Sequence, residues 1–335
     1  MTDHLKKLSA QEEPIGPDDL SGPLITGGAL EDLIDNSCAA AVTTNPTTIA
    51  AALSQAATYG EHLQEVATHG KTFDEGVSAV TARAAEQAKE LINQVDRANV
   101  HIEVLATVEG LPAITQLLAE GMSVNVTMVF SPDRYRAVMN AFLTGLEQAR
   151  RNGLDLSQIH SVTSFYLSHV DTEDDKGLDA LGTEDAKALM GKAALANTRL
   201  ADQAHKEVFS TPRWEDLATQ GAQSQRHLWA STGVENPAYK ETTSALDLTA
   251  PSTVIAMAAK TKQAVADHGE IQRAHWTGHY DDARLLFDSL DRIGVSHADV
   301  TAVLESEGVE GVARFAQSWA ELLSSVKEKV GTAGP

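Results

Sequence analysis

Short apolar or β-branched runs alternate along this chain with longer amphipathic stretches that are rich in alanine. A brief apolar run is typical of a buried strand, whereas apolar positions spaced by three or four residues are typical of a helix. Their repeated alternation predicts βα units around a parallel sheet. Six strands are predicted clearly and two, given last, on weaker patterns: Ala39–Thr44, Val100–Leu105, Val124–Phe130, Ile159–Leu167, Leu228–Thr232, Ser244–Leu248, Ile15–Leu20 and Gly76–Thr81.

Proline and capping residues mark several predicted helices between these strands. Pro46–Ser54 has a proline at an early helical position, and Ser131-Pro132-Asp133 forms a cap and first turn before Arg134–Arg151. Thr183–Val208 is predicted as one long helix, and the stretch from Val300 to Val330 as closing C-terminal helices.

Composition limits the classes of protein. The 335 residues carry 26 Lys and Arg against 47 Asp and Glu, a net charge of −21, which opposes binding to nucleic acid or to anionic membrane surfaces. The only cysteine, Cys38, excludes an internal disulfide, and no apolar run is long enough to span a bilayer, so we expect a cytoplasmic protein.

We expect a single domain over residues 1–335, with flexible tails at 1–12 and 328–335.

Six motifs stand out along the chain: Val42–Thr47, Val124–Ser131, Leu228–Gly233, Asp171-Thr172, Gly191–Ala194 and Val265–Gly269. They resemble the transaldolase family, over a region from about Gly28 to Leu323. The resemblance implies an α/β fold, a (β/α)8 TIM barrel, with extra C-terminal helices. The region between Gly60 and Lys89 is short for the family, which predicts a degenerate or shortened third βα unit.

The resemblance also implies a site built from several strands. Its hydrogen-bonding groups match residues of strands one, two, five and six of the family barrel, which suit the binding of hydroxyl and carbonyl groups. These matches are Asp18, Thr43, Asn45, Asn125, Thr127 and Ser164.

The family's reactive lysine, in a pattern near I-K-I-P-A-T, corresponds to Glu103 in the segment Asn99–Thr107. A carboxylate cannot condense with a ketone to form an imine. The glutamate of the family's third strand has no counterpart either, because the best remnant, Val77–Thr81, contains no acid.

The family's phosphate-binding cations are also replaced in the resemblance. An arginine corresponds to His169, and a basic residue corresponds to Glu235. A carboxylate about 4 Å from a phosphate costs on the order of 4 kcal/mol at an effective dielectric near 20. From these substitutions we predict that sugar phosphates are repelled and that the substrate is unphosphorylated, and polar or cationic.

Glu103, Asp18 and His101 are the candidate catalytic residues. A carboxyl at an apolar barrel mouth is hard to ionise, and a second acid nearby raises one pKa of the pair further, which suits acid/base catalysis. The alternatives are that Glu103 only pairs with an arginine or bonds to Asn125 and Thr127, and that His101 only fills space. Tyr166 could donate a proton, or pack outward as one of the pair Phe165-Tyr166.

We predict the substrate-binding set Thr43, Asn45, Asn125, Thr127, Ser164, Tyr166, His169, Ser231 and Glu235. The sequence contains no compact spacing of metal ligands, so a bound metal is the less favoured explanation of the acidic residues predicted at the barrel mouth. We expect neither a metal nor a cofactor.

Together these substitutions predict a lysine-independent enzyme that uses acid/base and hydrogen-bond catalysis for cyclisation, elimination, isomerisation or retro-aldol cleavage, in a specialised biosynthetic pathway. The alternatives are a noncatalytic relative that binds a metabolite or a protein, and an ordinary transaldolase that transfers dihydroxyacetone between sugar phosphates. The expected partner is a small-molecule substrate, and the expected assembly is a monomer or homodimer.

Overall fold

The computed structural model describes residues 15–17, 88–89, 92–93, 99–232, 248, 253–257, 259–268 and 279–308. Within these residues six strands form one sheet. They are β1 (Ile15–Pro17), β2 (Ile102–Leu105), β3 (Val124–Val129), β4 (Ser161–Tyr166), β5 (Arg226–Ala230) and β6 (Thr253–Met257).

All neighbouring strands of this sheet are parallel, in the order β1-β6-β5-β4-β3-β2. The first strand pairs with the last, since Ile15 is in register with Ile255. Pairing of first and last strands is what closure of a parallel barrel requires. The sheet therefore has the topology that the predicted barrel needs.

The described helices are α1 (Gly110–Ala119), α2 (Pro132–Arg151), α3 (Ser168–Leu181), α4 (Glu184–Leu189), α5 (Ala193–Val208), α6 (Pro212–Ala218), α7 (Ala259–His268) and α8 (Tyr280–Arg292). A short 3-10 turn occupies Leu156–Gln158. Residues 297–308 are also helical, and we call them the C-terminal helix. None of the helices in these described segments is long and apolar enough to cross a membrane.

The start of α2 confirms the capping prediction, because Ser131 Oγ accepts a hydrogen bond from the Arg134 backbone N–H at 3.2 Å. The prediction of one helix over Thr183–Val208 is wrong. Gly191 adopts a φ of +66°, which an α-helix cannot contain, and this break separates α4 from α5.

Three predicted strands are confirmed with shorter bounds, as β2, β3 and β4, and β1 lies within the weak prediction Ile15–Leu20. β5 begins two residues earlier than predicted, at Arg226. β6 was missed, and Leu248, the end of the strand predicted at Ser244–Leu248, lies in a turn. Three predicted segments lie outside the described residues: the strand Ala39–Thr44, the helix Pro46–Ser54, and the strand Gly76–Thr81 of the shortened third βα unit.

Two apolar layers flank the sheet. The larger one lies between strands and helices and contains Trp229, Phe165 and Phe142, all fully buried. The smaller one contains Leu228, Ala230, Val254 and Ala256, with Val162 and Tyr166 packed against it. Because side chains alternate along a strand, the smaller layer is the opposite face of the sheet, which is the barrel lumen.

Candidate active site

The register of β2 and β3 decides which way Glu103 points. Glu103 pairs with Asn125, and Leu105 pairs with Thr127. Partners in register on parallel strands place their side chains on the same face of the sheet. Asn125 in turn contacts Ser164, which shares the face of Val162 and Tyr166 in the lumen layer. Glu103 therefore lies on the lumen face.

Asn125 and Ser164 form the first polar contact of the lumen. The Ser164 hydroxyl donates to Asn125 Oδ1 at 2.9 Å, and both side chains are buried. Since Oδ1 accepts this bond, the amide NH₂ is the group that Asn125 can present to a ligand. The pair is thus a fixed donor set.

Thr127 and Tyr166 form the second polar contact, one layer nearer the carboxyl ends of the strands. Thr127 Oγ1 and the Tyr166 hydroxyl are 3.1 Å apart, and either can be the donor. Phe165, the neighbour of Tyr166, faces the other way and packs edge-on against Trp229 with ring centroids 6.1 Å apart. Of the two aromatic residues, Tyr166 is therefore the one in the lumen.

His169 lies just beyond this layer, exposed on the first turn of α3. Its ring meets Tyr166 at 5.8 Å and Phe130 at 6.5 Å between centroids, both in edge-to-face geometry. The imidazole nitrogens of an exposed histidine can donate to an anionic group of a ligand. His169 is thus placed to contact a ligand that extends out of the lumen.

Ser231 lies at the end of β5 with a φ of +50°, a conformation that residues other than glycine rarely adopt. Its carbonyl accepts the Ser168 backbone N–H at 3.2 Å, and the next side chain, Thr232, donates to the Ala256 carbonyl at 2.8 Å. Backbone strain held by such contacts is common at functional sites.

Glu103 and His101 are both exposed. The apolar burial that we expected around Glu103 is therefore not observed. Desolvation of the covered part of the His101 ring, and the nearby His160, lower its pKa, while a hydrogen bond with the Asn99 backbone opposes the shift. His101 is thus favoured in its neutral form.

The structure brings Glu103, Asn125, Thr127, Ser164 and Tyr166 to one face of the sheet, as the site prediction requires. Four other predicted residues lie outside the described residues: Asp18, Thr43, Asn45 and Glu235. In the part of the chain that is described, no cluster of three or more His, Cys, Asp or Glu side chains could hold a metal ion.

A cavity of about 280 Å³ lies at the rim and was missed in the sequence. Leu105, Met128 and Glu305 are among its lining residues, and Arg134 donates to the Glu305 carboxylate from Nε at 3.2 Å and from Nη2 at 2.8 Å. Met128 has a φ of +63° where the register of β3 on β4 shifts. A methionine gives no sequence signal for that conformation, and Arg134 and Glu305 are too far apart in the chain to be recognised as a pair.

A parallel barrel with polar side chains at the carboxyl ends of its strands is the arrangement of the TIM-barrel enzymes. The family model described as "Transaldolase/Fructose-6-phosphate aldolase" matches residues 24–326. The chain therefore belongs to the transaldolase family, and its fold is a (β/α)8 barrel.

Three relatives resemble the chain over almost all of their length. A transaldolase of Renibacterium salmoninarum is 44% identical over 370 positions, covering 99% of this chain and 98% of the relative. Transaldolase 2 of Streptomyces coelicolor is 44% identical, covering 100% and 99%. A transaldolase of Thermobifida fusca is also 44% identical, covering 97% and 98%.

These relatives overturn the predicted function. Proteins called transaldolases match the chain from end to end, so the prediction of a lysine-independent enzyme on an unphosphorylated or cationic substrate is wrong. The assignment to a specialised biosynthetic pathway gains no support. The error came from giving three substituted positions more weight than the agreement of the whole chain. Enzyme status itself is supported.

Proposed function

We propose that this protein is a transaldolase that acts on sugar phosphates. In this reaction the C3–C4 bond of fructose 6-phosphate breaks, the three-carbon ketone half stays with the enzyme, and a new C–C bond forms to the aldehyde carbon of an acceptor sugar phosphate. The observation that carries the proposal is the end-to-end similarity to transaldolases, at 44% identity.

The lumen contacts support this reaction. The Asn125 amide NH₂ is placed to donate to hydroxyl or carbonyl oxygens of the ketose, and Ser164 Oγ can accept from a hydroxyl. The Tyr166 hydroxyl, oriented by Thr127, is the proton donor that we propose for the sugar oxygens. Five more residues are included in the proposed site because of the family resemblance alone: Asp18, Thr43, Asn45, Ser231 and Glu235.

We propose that His169 contacts the phosphate of the substrate, since it matches the family's phosphate-binding arginine and stands exposed beyond Tyr166. A histidine in that place gives weaker electrostatic attraction than an arginine, because it is charged only when protonated. His169→Ala should therefore raise KM for fructose 6-phosphate and leave KM for unphosphorylated fructose unchanged.

We further propose that Glu103 occupies the position of the family's imine-forming lysine. An imine in this enzyme then needs an amine from another residue. In the described segments each lysine lies on a helix or at a helix end, as Lys206 does on α5, where it pairs with Asp202. Borohydride reduction in the presence of fructose 6-phosphate, followed by peptide mass spectrometry, identifies the residue that carries any adduct.

The transfer itself is tested by release of glyceraldehyde 3-phosphate from fructose 6-phosphate. We expect release that depends on an acceptor aldose phosphate. Release without an acceptor would indicate an aldolase, and a folded protein with no turnover of sugar phosphates would contradict the proposal. Glu103→Lys should add a trappable amine to the lumen face, whereas Glu109→Lys, on the loop after β2, should not.

A further inference from the structure

Asn197 is a polar side chain on the apolar face of α5. It is fully buried, and Ala194 and Ala201, one turn on either side of it, belong to the larger apolar layer. Transfer of an amide into such surroundings is unfavourable unless its donors and acceptor find hydrogen-bond partners. The partners of Asn197 therefore indicate what the residue does.

The amide nitrogen of Asn197 bonds to the end of β3. Nδ2 donates to the Phe130 carbonyl at 2.7 Å, and Phe130 lies one residue beyond the last residue of β3. A buried backbone carbonyl that has left the regular ladder needs a partner from elsewhere. Asn197 thus holds the backbone where β3 passes into the Ser131 cap of α2.

Both ends of the amide are occupied, so its orientation is fixed. A carbonyl can only accept, so Nδ2 must be the atom that faces Phe130, and Oδ1 faces His297 Nε2 at 3.2 Å. His297 is the first residue of the C-terminal helix. One side chain therefore connects β3, α5 and the C-terminal helix.

The start of α5 is in turn bonded to α3. The Asp171 carboxylate on α3 accepts the Ala194 backbone N–H at 2.8 Å, and Asp175 accepts that of Gly191 at 2.9 Å. His169 lies two residues before Asp171 on the same helix. The helix that carries Asn197 is therefore held against the helix that carries the proposed phosphate contact.

Phe130, Tyr166 and His169 form a cluster of three rings at the mouth. The ring centroids are 5.5 Å apart for Phe130 and Tyr166, 6.5 Å for Phe130 and His169, and 5.8 Å for Tyr166 and His169. Each ring limits the positions that are open to the other two. Phe130 is the ring whose backbone Asn197 holds.

We infer that Asn197 is a positioning residue, which fixes the Phe130 backbone and, through the Phe130 ring, the orientations of Tyr166 and His169. This role rests on the proposed function, in which Tyr166 donates a proton and His169 contacts a phosphate. Misplacement of a reacting group by about 1 Å can lower a rate by about 10²-fold, so a buried residue that touches no substrate can have a large effect.

Asn197→Leu tests this role in the release of glyceraldehyde 3-phosphate from fructose 6-phosphate, because leucine has a similar volume and cannot donate. We expect kcat/KM to fall about tenfold to hundredfold, with a lower kcat through Tyr166 and a higher KM through His169. Thr198→Val is the matched control and should behave as wild type, since Thr198 is also fully buried but its hydroxyl donates to the Ala194 carbonyl within α5.

A second comparison separates positioning from a general loss of stability. In the Tyr166→Phe background, Asn197→Leu should lower kcat much less than in wild type, because the hydroxyl that it orients is gone. Unchanged kcat and KM in Asn197→Leu, an equal loss in Thr198→Val, or a loss of kcat that is fully additive with Tyr166→Phe would overturn the inference. If Asn197→Leu does not fold, Asn197→Ala, which leaves more space and favours the helix, is judged by the same outcomes.

NMR of the full chain with isotope-labelled tyrosine and histidine gives a readout that needs no substrate. Asn197→Leu should shift the ring signals of Tyr166 and His169, assigned by their absence in Tyr166→Phe and His169→Ala, and leave that of Tyr280 on α8 in place. Such shifts in a protein that turns over no sugar phosphate would contradict the proposed function and still support the positioning of the two rings. Unshifted signals of Tyr166 and His169 would refute that positioning, whatever the activity.

Discussion

The hydroxyl of Tyr166 and Oγ1 of Thr127 lie 3.1 Å apart on the lumen face. The two residues belong to the neighbouring strands β4 and β3, which α2 separates in the chain. Phe165, the neighbour of Tyr166, faces the other side of the sheet and is fully buried in the larger apolar layer. The contact of Tyr166 with Thr127 contains the hydroxyl that we propose as the proton donor of the reaction.

Tyr166→Phe should lower kcat by about 10²–10⁴ if the hydroxyl transfers a proton in the rate-limiting step, with little change in KM. Steady-state kinetics with fructose 6-phosphate measures this. Thr127→Val should lower kcat less, and the double variant should be no worse than Tyr166→Phe. Tyr280→Phe is the matched control, because its hydroxyl bonds to Asp202 on α5. A Tyr166→Phe enzyme with unchanged kcat would contradict the role of proton donor.

Asp171→Asn should stabilise the protein above pH 6. Desolvation raises the pKa of Asp171 to about 6, and the nearby Asp175 and Asp174 add to the shift, although the N–H groups of Ala194 and Ala193 oppose it. The folded state then holds its proton more tightly than the unfolded state, so wild-type stability falls as pH rises from about 4 to about 6.

The variant lacks this loss, so its advantage should grow through the same pH range and level off at about 1–2 kcal/mol, after allowance for the partial exposure of the side chain. Urea unfolding at pH 4.5 and pH 7.5 measures it, and Asp179→Asn, on the exposed side of α3, is the control. An advantage that is equal at the two pH values would mean that charge is not the cause.

His227→Phe should reduce the acid sensitivity of the fold. Burial lowers the pKa of His227 well below its ordinary value, and the neighbouring His205 adds to this. The ring stacks on Trp229 at 4.8 Å, and a phenylalanine can keep that contact. As pH falls below about 6.5, the unfolded chain binds a proton at this position and the folded chain does not, so wild-type stability is lost at up to roughly 1.4 kcal/mol per pH unit.

The measurement is the difference in unfolding free energy between His227→Phe and wild type at pH 7 and pH 5. Relative to wild type, the unfolding free energy of the variant should be more favourable at pH 5 than at pH 7, even if the larger ring costs stability at pH 7. His279→Phe, at an exposed position, should show no such change. Parallel pH profiles for His227→Phe and wild type would refute the explanation.

Gly145→Ala should destabilise the packing of α1 on α2. A Cβ at this position would lie 2.6 Å from Leu118 Cβ and 2.9 Å from the Thr115 carbonyl oxygen, so the two helices would have to separate. Overpacking of this kind costs about 1–3 kcal/mol, which exceeds the gain of about 0.5–1 kcal/mol from helix propensity. Gly177→Ala on α3 is the control, because its Cβ meets only the Val295 side chain at 3.3 Å. Thermal unfolding should show a lower Tm for Gly145→Ala alone, and equal Tm values would show that α1 and α2 can separate freely.

Local patterns in the sequence determined much of the fold. The order Ser131-Pro132-Asp133 was enough to locate the start of α2, because capping depends on residues within one helical turn. The alternation along β4 required one of Phe165 and Tyr166 to face the lumen, because side chains alternate along a strand. The family motifs also identified Asn125 and Ser164, which the structure joins by a hydrogen bond, and Thr127, which bonds to Tyr166.

Other features depend on residues far apart in the chain, and only the tertiary structure decided them. The pairing of Arg134 with Glu305 spans 171 positions, and the contact of His297 with Asp174 spans 123. The exposure of Glu103 likewise depends on what surrounds β2 and not on the apolar residues beside it in sequence. The sequence by itself determined which side chains share a face, since that follows from the repeat of the backbone; which charges meet and which are covered was settled only when distant segments packed together.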